Sequence, residues 1–149
     1  MKLLQIDFGG GEPIQYPNFK KCDILNRGDI EFGGVDFNKD RLPFSDDSID
    51  EAVCSHCLEH IVDTKHFLNE LHRTLKPSGT ITFYVPHGLW NGSFNPVHVN
   101  QITESWFDFL QRPKAKKIYG YEMWKIMKMN ILTNKAGEKY EIICIMKKQ

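Results

Sequence analysis

His56-Cys57-Leu58-Glu59-His60 is the densest group of chemically competent side chains in the sequence. H-x-x-E-H is the spacing of a zinc word in which two histidines one helical turn apart bind the ion and the glutamate acts as general base. That geometry needs the word to lie within a helix. Here it follows Ile49 to Cys54, an apolar run entered from the turn Ser45-Asp46-Asp47-Ser48, and such a run reads as a buried strand. Glu70 is the one nearby downstream helical residue that could act as a third ligand. No metal ligand is therefore assigned, and a zinc metallohydrolase is kept as a lesser alternative. Imidazole titrates near neutrality, so His56 and His60 are candidates for a general base or a substrate contact. The other reading is that these residues only fix the corner, with Glu59 bonding to backbone or to Arg73.

The second group is Gly9-Gly10-Gly11 after the apolar run Lys2 to Phe8. Glycines after a strand permit a tight turn and close approach of backbone to a ligand. A nucleotide fold places an acidic residue about 20 residues beyond such a loop, after a helix. Asp23 arrives well short of that, and the residues between include Pro13 and Pro17 with no helical stripe. The first crossover is thus expected to have lost its helix, with a second strand over Phe19 to Leu25. Asn26 to Gly34 is also too short for a helix, and Val35 to Phe37 reads as a short third strand.

The elements that position the histidine corner are clearer. Asp63 or Thr64 can cap a helix whose stripe is Phe67, Leu71 and Leu75 at i, i+4 spacing, with Leu68 beside them. Lys76-Pro77-Ser78-Gly79 is expected to stop it, and Thr80 to Val85 reads as the next strand. Strand, helix and strand of these lengths form a βαβ unit with a right-handed crossover.

LPF, a strand, HCLEHI, FLNELHRTLKPSG and a strand closing in VPH together resemble the class I S-adenosylmethionine-dependent methyltransferases, densest between Asp36 and His87. The resemblance implies a trimmed Rossmann-like α/β fold of one domain, 1–149. Its sheet would be mostly parallel, closed by an antiparallel C-terminal hairpin, with helices missing from the first crossovers. It implies S-adenosyl-L-methionine as cofactor and methyl transfer to an acceptor the sequence does not name. Asp7, Gly9, Gly10 and Gly11 fall on the family's first motif, although its third glycine would fall on Pro13. Asp23 would accept the ribose hydroxyls, which suits an acceptor-only carboxylate facing a diol. Asp36 would take the adenine amino group and Phe37 would pack on the ring. Cys54 and Ser55 would border the methionine end, beside the catalytic candidates His56 and His60. His87 and His98 are further pocket candidates. A methyltransferase-fold binding or assembly module that no longer catalyses is the main alternative.

Composition narrows the partners. With 19 basic and 19 acidic residues the net charge is zero, which advertises no nucleic-acid surface. The short basic run Arg112 to Lys117 reads as a solvated connection. No signal peptide or membrane-length apolar run is visible, and the 4 cysteines fit buried strand positions, so a reduced, cytoplasmic setting is expected. Losing two helices would leave one sheet face uncovered. A homo-oligomer contact or a partner protein is expected there. Thr103-Glu104 opens a short helix through Leu110. Lys125 to Leu132 and Tyr140 to Met146 read as a hairpin joined by a polar, glycine-bearing link.

Overall fold

The computed structural model describes residues 2–10 and 16–149. The strands are β1 (Gln5–Phe8), β2 (Lys20–Asp23), β3 (Phe32–Gly33), β4 (Ile49–Ser55), β5 (Leu75–Pro86), β6 (Trp124–Thr133) and β7 (Lys139–Lys148). The helices are α1 (Thr64–Thr74), α2 (Glu104–Leu110) and α3 (Pro113–Tyr119). One seven-stranded sheet runs in the order β3-β2-β1-β4-β5-β7-β6. β7 is antiparallel to both its neighbours, while β3 to β5 are mutually parallel. This is the trimmed Rossmann-like arrangement with a closing hairpin that the sequence implied. Among the described residues no helix lies between β1 and β2, between β2 and β3, or between β3 and β4. No helix among the described residues is long and apolar enough to cross a membrane.

Register sorts the sheet into two faces. Ile6, Ala52, Ile81 and Met146 form one cross-strand row, and Phe8, Cys54, Phe83 and Cys144 the next. All of these are buried. α1 sets Phe67 edge-on to Phe8 at 5.8 Å, and α2 sets Phe107 against Phe83 at 5.8 Å. The core lies between this face and the helices. The opposite face carries the row Lys21, Asp7, Val53, Thr82 and Ile145, with Gln5, Glu51, Thr80, Tyr84 and Ile143 beside it. Tyr16 covers part of it by packing on Tyr84 at 6.4 Å. The expected apolar surface is in fact mixed, so a partner seated there would have polar groups to satisfy.

Several boundaries differ from the sequence reading for local reasons. The third strand is Phe32–Gly33, not Val35 to Phe37, because Gly34 turns the chain at φ +77. The backbone N–H of Val35 then donates to Asp23 O at 3.0 Å, and Asp36 starts a turn, its carbonyl accepting from Lys39 and Asp40. The second strand stops at Asp23, whose Oδ1 accepts the N–H of Leu25 at 2.9 Å. α1 begins as expected, with Asp63 Oδ1 accepting from His66 N at 2.9 Å, but it ends at Thr74. Lys76 to Gly79 lie inside β5 at a register irregularity opposite Ile49 and Glu51. Arg112 to Lys117 is not a connection: Pro113 opens α3, where proline's missing N–H costs nothing.

Arg73, near the end of α1, is a fastener for the Leu42–Phe44 segment. Its guanidinium donates to Glu70 at 2.9 and 2.7 Å, to the carbonyls of Leu42 (3.1 Å) and Phe44 (2.9 Å), and to Asp46 at 2.7 Å. It is spent there and does not reach Glu59. A lysine cannot reproduce a planar fork serving five acceptors. Arg73→Lys should therefore destabilise the fold by about 2 kcal/mol, since Glu70 and two carbonyls lose donors. Urea denaturation reads this directly.

Candidate functional site

The carboxyl ends of β1, β2 and β4 meet at a cavity of ≈ 290 Å³ lined by Gly9, Asp23, Ile24, Phe37, Asn38, His56, Cys57, His60 and Ile61. Open α/β sheets bind ligands at this edge, at the switch point where strand order reverses. Here that point is β1, flanked by β2 and β4.

Gly9 makes the floor possible. It sits at φ +75, and a Cβ there would lie 2.7 Å from both Cβ and Sγ of Cys57. Its N–H donates to Cys22 O at 2.9 Å, which ties the turn to β2. Asp23 is nearly buried at the end of β2. Its Oδ1 holds Leu25, and a carboxylate has lone pairs on both oxygens, so acceptor capacity remains for a ligand diol. Ile24, next to it, is 60% exposed, an apolar wall beside a polar group. Phe37 is buried, stacked on Phe67 at 4.8 Å, and lends the cavity part of its surface.

The histidine word begins directly after β4 and ends in a 3₁₀ turn, Leu58–His60, so it does not lie within an α-helix as the zinc-protease word requires. His56 holds a left-handed backbone at φ +48, an unusual state for a residue with a side chain. Its N–H donates to Tyr84 O at 2.8 Å and its Nε2 lies 2.9 Å from Glu141 Oε1 on β7. His60 Nδ1 donates to Val97 O at 2.9 Å. Glu59 is 1% exposed, with Oε1 3.8 Å from both His56 Nδ1 and His60 Nε2. Burial pushes its carboxyl above the usual range, and the neighbouring histidines only partly oppose this. Its backbone carbonyl takes Val99 N at 2.9 Å and Asn100 N at 3.2 Å, which fastens the segment after β5 over the corner.

Five sequence-assigned residues thus line one cavity: Gly9, Asp23, Phe37, His56 and His60. The others do not. Asp36 Oδ1 accepts from the backbone N–H and the side-chain amide of Asn38, both at 3.0 Å, and organises a turn instead. Gly10 faces Asp7 and Lys21, since a Cβ there would lie 2.8 Å from Asp7 Oδ2. Cys54 is wholly buried and Ser55 half-buried, neither on the cavity wall. Gly11 lies outside the described residues. His87 is buried elsewhere, its Nε2 donating to Glu104 Oε2 at 2.9 Å. Ile24, Asn38, Cys57, Ile61 and Glu141 were missed. Ile24 had a signal, an apolar residue following the acid at a strand end. Glu141 had none, since only the β5–β7 pairing brings it to the corner.

Asp7 is not in the cavity wall; its carboxylate lies by Gly10 and Lys21. Burial raises its carboxyl from 3.8 to about 6; Lys21 opposes the rise and Asp23 adds to it. Between these values the folded chain keeps a proton that the unfolded chain has lost. Stability therefore falls as pH rises through the window and stays lower above it. Asp7→Asn should gain about 1 kcal/mol over wild type near neutral pH, after allowance for solvent screening, and nothing at about pH 3. Denaturant melts at the two pH values test the sign.

The family described as "Methyltransferase domain" matches residues 17–83. Among solved structures, a Mesorhizobium loti S-adenosylmethionine-dependent methyltransferase superposes with TM-score 0.67 at 14% identity, covering 98% of this chain and 91% of that one. A Burkholderia thailandensis 1,6-didemethyltoxoflavin-N1-methyltransferase, solved with that compound and S-adenosylhomocysteine, gives 0.66 at 13%, covering 98% and 71%. A protein from the Haloferax volcanii complex between the Trm112 methyltransferase activator and "the putative methyltransferase" gives 0.65 at 13%, covering 97% and 82%. Likeness at these identities is a likeness of fold.

Proposed function

This chain has the class I S-adenosylmethionine-dependent methyltransferase fold and is similar to the methyltransferase-domain family over residues 17–83, and on that premise we propose that it binds S-adenosylmethionine and passes a methyl group to a nucleophilic acceptor. The observation that carries the reading is Asp23 and Gly9 in one cavity at the strand-order reversal. Asp23 would hold the ribose diol, Ile24 and Phe37 would flank the adenine, and Gly9 would let the methionine portion pass close to backbone. Asp36 is engaged with Asn38 and lies off the cavity wall, and the Asn38 amide is itself bonded to Asp36, Val62 and Asp63, so the adenine contact rests on Ile24 and Phe37. When bound, the cofactor supplies a sulfonium methyl open to in-line displacement, so the protein's main task is positioning.

The acceptor side is the histidine corner. His56, paired with the Glu141 carboxylate at 2.9 Å, has the form of a general base held in orientation by an acid. An acceptor hydroxyl or amine would give its proton to this imidazole as the methyl is transferred. Val97 and Val99 are exposed on the segment fastened to the corner, which suits an acceptor with an apolar portion. By analogy with the Haloferax complex we assign the mixed sheet face to a protein partner.

Calorimetric titration with S-adenosylhomocysteine tests the reading. Binding with a micromolar dissociation constant is expected. No heat at millimolar ligand, with circular dichroism showing folded protein, overturns the reading in favour of a fold kept as a binding module.

A further inference from the structure

Glu59, His60 and His98 each offer one donor atom within 4.8 Å of the other two. They come from different parts of the chain, the 3₁₀ turn after β4 and the segment after β5. Glu59 is 1% exposed, and its Oε2 is buried with no hydrogen-bond partner among the described residues. A buried carboxylate oxygen left without a donor is costly, and such an atom calls for a cation.

The two imidazoles are set up to supply the rest. A carbonyl can only accept, so His60 Nδ1, at 2.9 Å from Val97 O, carries the hydrogen. His98 Nδ1, at 3.0 Å from Ser93 O, does likewise. In a neutral ring this leaves a lone pair on each Nε2. A ring nitrogen donating to backbone while the other is left free to ligate is the outer-partner pattern of metal-binding histidines. The rings pack edge-to-face at 4.8 Å. Donors on a tetrahedral ion lie about 3.3 Å apart given metal–nitrogen distances of about 2 Å. His60 Nε2 and Glu59 Oε1 stand at 3.8 Å and the three donors lie within 4.8 Å of one another, so closing on an ion takes about half an ångström for that pair and up to about 1.5 Å across the set.

We propose that Glu59, His60 and His98 form a binding site for a divalent transition-metal ion of the zinc type, with a coordination position left open at the border of the cavity. Two imidazoles and one carboxylate are a recurring zinc set with an open fourth place. His60 belongs to both the cluster and the cavity wall, so the open place borders the acceptor side. His56 stands outside the set because its Nε2 serves Glu141. The ion would tie the Ser93–Asn100 segment to the corner that Val99 and Asn100 already bridge by backbone bonds. This site differs from the H-x-x-E-H word, since its second histidine comes from beyond β5. It stands apart from the cofactor reading and survives the failure of that reading.

Titration of metal-stripped full-length protein with zinc and with cobalt(II) tests it. About one ion per chain is expected. The cobalt form should show visible bands of nitrogen and oxygen ligation without thiolate charge transfer. His98→Ala should weaken zinc binding by about 100-fold or more, beyond the ~10–100-fold of losing an outer partner, while His66→Ala leaves it unchanged. Absence of uptake overturns the proposal, as does uptake insensitive to His98→Ala. Thiolate charge transfer in the wild-type cobalt spectrum overturns it too, by moving the ion to Cys54 and Cys57, and that readout needs no variant to fold.

Discussion

Asp23→Ala is expected to weaken S-adenosylhomocysteine binding about 100-fold. Each ribose hydroxyl donating to a carboxylate contributes about 1.5–3 kcal/mol, and removing one acceptor from both costs about 3 kcal/mol when the two are not additive. The substitution also frees the N–H of Leu25, so a loss of stability will accompany it. Asp23→Asn separates the effects. Its amide oxygen keeps one acceptor for Leu25, so the fold should hold while the diol loses its charged partner, giving an intermediate dissociation constant. If both variants bind like wild type, Asp23 is a strand-end aspartate and the ribose lies elsewhere.

Gly9→Ala should cost about 3 kcal/mol of folding stability and abolish binding in what remains folded. The left-handed conformation at φ +75 costs a residue with a side chain about 1–2 kcal/mol. Overpacking adds about 1–3 kcal/mol, because the new methyl would lie 2.7 Å from Cys57 Cβ where carbon contacts prefer about 3.5–4.0 Å. Cys57→Gly in the Gly9→Ala background removes the clash and leaves the backbone term. With Cys57→Gly alone as the fourth variant, chemical denaturation closes a double-mutant cycle whose coupling energy is the packing part. An alanine tolerated without loss would mean that Cys57 moves aside easily and the floor is soft.

What could be read from the sequence was what local chemistry decides. The Asp63 cap, the Phe67, Leu68 and Leu71 stripe and the polar link before β7 each declare themselves within a few residues. Asp23 could be placed at a strand end from the local pattern, but only the family resemblance pointed it at a ligand, since a strand-end aspartate alone reads as structural. Asp36 misled because an aspartate two residues before an asparagine amide can satisfy itself locally, and it does. Phe32 and Gly33 hid as a strand because pairing with Cys22 and Asp23, not their own pattern, makes them one. Glu141 beside His56 and His98 beside Glu59 depend on tertiary contacts that no short-range spacing encodes.

The short crossovers also bear on how the molecule is held together. β2 and β3 contribute few residues to the ladder, and among the described residues no helix lies in the connections before or after them. Asp23 therefore rides on the part of the sheet with the least buttressing, while His56 directly follows the central strand β4, which is paired on both sides by β1 and β5. Such a strand pair opens at a lower free energy than the global one. A ligand held by Asp23 binds only the closed form and so adds its own binding free energy to the closure of β2 and β3. Occupancy and local order at this edge are then one thermodynamic variable, and the adenosine side would be ordered by what it binds while the histidine side stays ordered without it.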